Sequence, residues 1–188
     1  MTDCVTDASD TAQRPRKGLI TVFTGDGKGK TTAAIGTAVR AAGYGLRVFI
    51  VFFLKGKMFS QGEALALERF PNIETASFGA STWIKKGAVD AEANAQAFKA
   101  LETAGRAMAS GDYSLVIMDE VNGAVDFGLI PVNDLVKMVA GKPDNVDLIL
   151  TGRHADARIV QMADVVTEMV NVKHAFERGI GAREGIDY

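Results

Sequence analysis

An α/β fold, a mostly parallel sheet with helices on both faces, is what the sequence predicts, on three observations. Apolar runs of strand length alternate with runs of helix length. A glycine-spaced loop joins the first apolar run to an alanine-rich helical stretch. A later apolar run stops on two adjacent carboxylates, Asp119 and Glu120. Alternation of this kind builds right-handed βαβ units.

Residues 1–17 are polar, include Pro15, and read as a flexible arm; residues 18–188 read as a single domain. Residues 19–24 form the first predicted strand, apolar enough to be buried on both sheet faces. The loop after it reads Thr24-Gly25-Asp26-Gly27-Lys28-Gly29-Lys30-Thr31-Thr32. It follows the phosphate-cradle pattern Gly-x-x-x-x-Gly-Lys-[Ser/Thr], with Thr24 where the pattern has glycine. Glycines let backbone N–H groups approach phosphate oxygens closely. Lys30 would meet the phosphate charge, and Thr31 would offer its hydroxyl to Mg²⁺. Helix 31–42 would aim its positive end at the anion. A βα turn without a ligand is the plain alternative.

Residues 47–54 are a second buried strand. Lys55 follows, either touching a ligand beyond the strand ends or solvated in a loop. Residues 62–70 suggest a short helix stopped by Pro71, and 73–78 a third strand. The next loop holds Trp83, the only tryptophan, which is either a core anchor or a surface for a flat ligand. Residues 90–110 form a long helix, with Phe98, Leu101, Gly105 and Met108 at helical spacing. Strand 113–118 ends at Asp119-Glu120, where a carboxylate can hold Mg²⁺ or orient a nucleophile. A helix at 132–140 and a strand at 147–150 precede Thr151-Gly152-Arg153-His154. Arg153 is placed to meet phosphate or a polar amide edge, or to serve as a salt-bridged cap. Helix 156–163, strand 165–170 and an irregular, aromatic tail complete the chain.

Composition narrows the partners. A net charge of −2 carries no polyanion-binding signature, so nucleic acid is not favoured. The single cysteine, Cys4, allows no disulfide framework and fits a reducing cytoplasm. No apolar run is long enough for a transmembrane helix, so no membrane is expected, and the N-terminus lacks the apolar core of a secretory signal.

Together these motifs resemble the P-loop-type ATP:corrinoid adenosyltransferases, over residues 19–188. The resemblance rests on Thr24 to Thr32, Phe53-Leu54-Lys55-Gly56, Gly62-Glu63, Trp83 and Met118-Asp119-Glu120. It continues through Leu129-Ile130, Leu150-Thr151-Gly152-Arg153, Ala163-Asp164, Glu168-Met169, Lys173-His174-Ala175-Phe176 and the tail from Gly179 to Tyr188. Thr24 in the first glycine position is that family's own form. Two departures stand out. Phe52 lies where many members carry Gln, and Ser81 lies where many carry Phe.

The resemblance implies a P-loop NTPase-like (RecA-like) fold. It implies transfer of the 5′-deoxyadenosyl group of ATP to the cobalt(I) of a reduced corrinoid, with triphosphate leaving. ATP would lie across the loop in the reverse sense from ordinary ATPases. Lys30, Glu120 and Arg153 are then the candidate catalytic residues. Thr24, Gly25, Asp26, Gly27, Lys28, Gly29, Lys30, Thr31, Thr32, Lys55, Phe78 and Trp83 are candidate ATP or corrinoid contacts, and Thr31, Asp119 and Glu120 candidate Mg²⁺ ligands. An electron-donating flavoprotein or reductase and a homodimer are also implied. The rival readings are a P-loop ATPase or small-molecule kinase, and a non-catalytic nucleotide-binding module.

Overall fold

The computed structural model describes residues 17–55, 62–80 and 91–187. Six strands build one sheet: β1 (Ile20–Thr24), β2 (Val48–Phe52), β3 (Ile73–Ser77), β4 (Leu115–Asp119), β5 (Asp147–Thr151) and β6 (Val165–Glu168). Their order is β3-β2-β4-β5-β1-β6, and every pairing is parallel. Parallel neighbours require crossovers, to which six α-helices of the described residues belong. These are α1 (Lys30–Gly43), α2 (Gly62–Leu67), α3 (Ala91–Ala109), α4 (Val121–Asp126), α5 (Val132–Ala140) and α6 (Ala157–Met162). The architecture is that of the P-loop NTPase-like folds, with β5 set between the phosphate-loop strand β1 and the acidic strand β4.

Side-chain alternation sorts the core into two layers. Val51, Val116, Met118, Leu148 and Leu150 face α3, α4, α5 and α6. Ile50, Phe52, Ile117 and Ile149 face α1 and α2, which contribute Ala34, Ala38 and Leu67. All the strands run the same way, so the loops after β1, β2, β4 and β5 open at one edge of the sheet. That edge is where ligands bind in open α/β folds.

Several expectations change. In β1 only Val22 is fully buried. The strand has β6 as its outer neighbour, and all four β6 residues are exposed. The second strand is shorter than its apolar run, because Leu54 takes a left-handed φ of 58° and turns the chain. The long helix does not bury Phe98, which is 43% exposed. Its inner face is alanine instead: Ala93, Ala97, Ala100, Ala104 and Ala107, with Leu101 and Met108. Small side chains bring α3 close to β2 and β4 and leave no room there for a phenyl ring. Helix α4, which starts directly after Glu120, has no counterpart in the sequence reading. It is one and a half turns long and contains Gly123, so its local helix signal is weak.

Candidate functional site

The phosphate loop leaves β1 at Thr24. Its carbonyl accepts from Met169 N at 2.8 Å, and its hydroxyl accepts from Ala155 N at 3.2 Å. A glycine here could not make the second bond, so Thr24 ties the loop to the segment after β5. Gly25 and Gly29 have φ of 93° and 110°, a region that disfavours side chains. Gly27 is forced by proximity: an added Cβ would lie 2.7 Å from Met169 O and Val170 O. Asp26 and Lys28 point outward, Lys28 donating to the Asp187 carboxylate of the C-terminal tail. Arg183 and then Lys28 hold Asp187 well below the usual carboxylate range.

Lys30 begins α1 and is buried. Its ammonium donates to Gly25 O at 2.7 Å and Gly27 O at 2.8 Å, so the loop carbonyls cradle it. Burial lowers its pKa, and Arg153 adds to this. The carboxylates of Glu120, Asp26 and Asp119 oppose the shift. The first turn of α1 has no acidic side chain and no side-chain cap, which leaves its N–H groups available to an anion. Thr31 is half-buried in that turn and Thr32 is exposed beside it.

Across β5 stands the acidic pair. Asp119 is fully buried, and both its oxygens have partners. Oδ1 accepts from the Thr151 hydroxyl at 2.7 Å, and Oδ2 pairs with Lys55 Nζ at 2.8 Å. The Lys55 ammonium also lies 4.9 Å from the Phe52 ring centre, so Phe52 gives the lysine a cation–π contact. Lys55 is thus neither simply solvated nor free. Glu120 is different. Burial and then the Asp119 charge push its pKa up, while Lys55, Lys30 and Arg153 pull it down. No hydrogen bond from a described residue takes up its carboxylate.

Leu54, Glu120, Gly123, Asp126, Phe127, Arg153 and His154 line a cavity of about 200 Å³ beyond the ends of β2, β4 and β5. Arg153 is exposed at its rim. His154, missed by the sequence reading as a site residue, joins two sides of the edge. Its Nδ1 is 3.1 Å from Asp126 Oδ2 and its Nε2 is 3.6 Å from Asp26 Oδ1. Phe78 is half-buried, and its carbonyl accepts from Lys55 N at 2.9 Å. Trp83 lies outside the described residues. The structure therefore brings Lys30, Lys55, Asp119 and Arg153 to one edge, each within electrostatic reach of Glu120.

The sequence carries the same pattern as proteins already known. A family model described as ATP:corrinoid adenosyltransferase BtuR/CobO/CobP matches residues 16–188. The corrinoid adenosyltransferase of Escherichia coli (strain K12) is 36% identical over 183 residues, covering 97% of this chain and 91% of that protein. The corrinoid adenosyltransferase CobA of Salmonella typhimurium (strain LT2) is 36% identical with the same coverage. That of Pseudomonas aeruginosa (strain PAO1) is 35% identical, covering 98% of this chain and 90% of its own length.

Proposed function

The chain belongs to the ATP:corrinoid adenosyltransferase family, and from that premise we propose that it transfers the 5′-deoxyadenosyl group of ATP to the cobalt(I) of a reduced corrinoid. The observation that carries the reading is the cluster of Lys30, Glu120 and Arg153 at one sheet edge, each within the field of the others. Two cations beside a half-open cradle suit a polyphosphate.

Cobalt(I) supplies the electron pair to the 5′ carbon, the carbon–oxygen bond breaks, and triphosphate departs with its electrons. The substrate is the nucleophile, so the protein's tasks are positioning and charge stabilisation. Lys30, the N–H groups of the α1 N-terminus and Arg153 serve the leaving polyphosphate. Lys28 adds charge when it parts from Asp187.

The residues present fit Mg²⁺. Among the described residues no group of three or more His, Cys, Asp or Glu side chains could hold a metal alone. Mg²⁺ commonly takes one or two protein oxygens and completes its shell with phosphate and water. Thr31 and Glu120 would supply those oxygens, since Asp119 has both of its own engaged. When bound, the ion supplies positive charge to the departing phosphates.

Phe78 and Trp83 are assigned to the corrinoid side, where apolar groups would favour loss of cobalt's axial ligand. An electron-donating flavoprotein or reductase supplies cobalt(I). The protein works as a cytoplasmic homodimer of single nucleotide-binding domains spanning 18–188; the arm expected before it lies, but for Lys17, outside the described residues. Among the described residues no helix is long and apolar enough to cross a membrane.

The test is anaerobic incubation of protein, MgATP and chemically reduced cobalamin, followed by absorbance and phosphate analysis. A light-sensitive alkylcorrinoid and triphosphate in equal amounts are expected. ADP without alkylcorrinoid would overturn the reading in favour of a kinase or ATPase.

A further inference from the structure

Thr151 ends β5 and is fully buried. Among the described residues its hydroxyl makes two hydrogen bonds, one to Asp119, which closes the neighbouring strand, and one to Glu120, which follows it. It donates to Asp119 Oδ1 at 2.7 Å and accepts from Glu120 N–H at 2.9 Å. A carboxylate can only accept and an N–H can only donate, so a group with one proton and free lone pairs must stand between them. The sheet register delivers it there. Met118 pairs with Leu150, which sets Asp119 opposite Thr151.

Glu120 needs holding. Its backbone has φ 63° and ψ 18°, a left-handed conformation that a residue with a Cβ keeps only where its surroundings impose it. That twist turns the chain from β4 directly into α4, whose N-cap is Glu120 itself, with no side-chain cap. The Glu120 N–H is met by Thr151 at this turn. Lys55 fixes the other oxygen of Asp119, so the carboxylate that anchors Thr151 is itself held.

We propose that Thr151 is a positioning residue for Glu120: its hydroxyl fixes the strained turn from which the Glu120 side chain lines the cavity. The proposal rests on the reading of Glu120 as the carboxylate that works beside the polyphosphate. Valine in place of Thr151 would keep the volume and leave both Asp119 Oδ1 and Glu120 N–H unpaired in a buried site. Serine would keep the hydroxyl.

The experiment is a double-mutant cycle with Thr151→Val, Glu120→Gln and the double variant, with Thr151→Ser as the rescue. Two readouts are taken: kcat and KM for MgATP with reduced cobalamin, and the enhancement of ATP affinity by Mg²⁺, measured by calorimetry without turnover. Thr151→Val is expected to lower kcat about tenfold and to change KM less. In the Glu120→Gln background it should cost less than about twofold, because the group it positions has already lost its charge. Thr151→Ser should return kcat to within about threefold of the parent. The Mg²⁺ enhancement should show the same non-additivity. Equal losses in both backgrounds, or serine as damaging as valine, would overturn the proposal. A parent protein that forms no alkylcorrinoid would overturn the functional reading instead, and the calorimetric cycle would then decide on Thr151 alone. If Thr151→Val does not fold, Thr151→Ala takes its place in the cycle.

Discussion

Lys55 and Asp119 form an ion pair of 2.8 Å that joins the end of β2 to the end of β4, with the carboxylate fully buried and the ammonium only partly so. Removing the lysine would strand a buried charge, which is among the costlier single changes a protein can suffer. Lys55→Met should therefore lower the unfolding free energy by about 2–3 kcal/mol, at or just below the lower limit for fully buried pairs because Lys55 keeps some water. Asp119→Asn combined with Lys55→Met should recover much of that loss. Denaturant titration of the three variants checks this, and an unchanged midpoint for Lys55→Met would refute it.

Tyr113 provides a pH test remote from the site. It sits at the opposite end of the sheet and donates to Glu74 at 2.8 Å, with the Arg47 guanidinium 5.0 Å above its ring. Burial first, then the bond to Glu74, pushes its phenol up to about 12. The folded state thus keeps a proton that the unfolded chain releases near pH 10. The associated stability is fully present below pH 10 and falls as pH rises towards 12. Absorbance titration of the three tyrosines should show a component near pH 12 that Tyr113→Phe removes. Titration of every phenol near pH 10 would contradict the geometry.

Lys30→Ala separates phosphate chemistry from folding. Among the described residues, the side chain's hydrogen bonds go to the Gly25 and Gly27 carbonyls of its own loop, so the sheet and core do not depend on it. Turnover should fall about a hundredfold or more, the scale seen when a donor to developing negative charge is lost. The far-UV circular dichroism should be unchanged. Full activity in this variant would remove Lys30 from the leaving-group site.

What could be read from the sequence was whatever is local. The phosphate loop lies within nine consecutive residues, and Asp119-Glu120 are adjacent, so each carries its chemistry in its own spacing. Lys55 was ambiguous because its partner lies 64 positions away, and only the pairing of β2 with β4 reveals it. Thr151 stands in a sequence motif, but its tie to Asp119 and Glu120 has the same long-range origin: it exists only because β5 lies beside β4. Phe98 stands at helical spacing with Leu101 and Met108 yet faces outward, because periodicity weights large apolar side chains whereas the close α3 contact selects alanine. Helix α4 went unseen because Glu120, in a left-handed conformation, starts a helix too short to show a period.

Two glycines beside Glu120 should respond in opposite ways. At Gly152, with φ of 131°, an added Cβ would lie 2.7 Å from Gly123 N, which is backbone and cannot swing aside. Both the strained dihedral and the clash act against the fold, so Gly152→Ala should cost about 2 kcal/mol or more. At Gly123 the new methyl would meet Glu120 Oε2 at 3.1 Å and Leu54 Cδ1 at 3.4 Å. Those are side-chain atoms, and alanine is favoured over glycine within a helix by up to about 1 kcal/mol. Gly123→Ala should then keep or raise stability while displacing the Glu120 carboxylate and lowering kcat. Thermal melts and turnover measured on both variants check the contrast. A Gly123→Ala protein with undiminished kcat would show that the carboxylate tolerates displacement, and would weaken its assignment to the reacting edge.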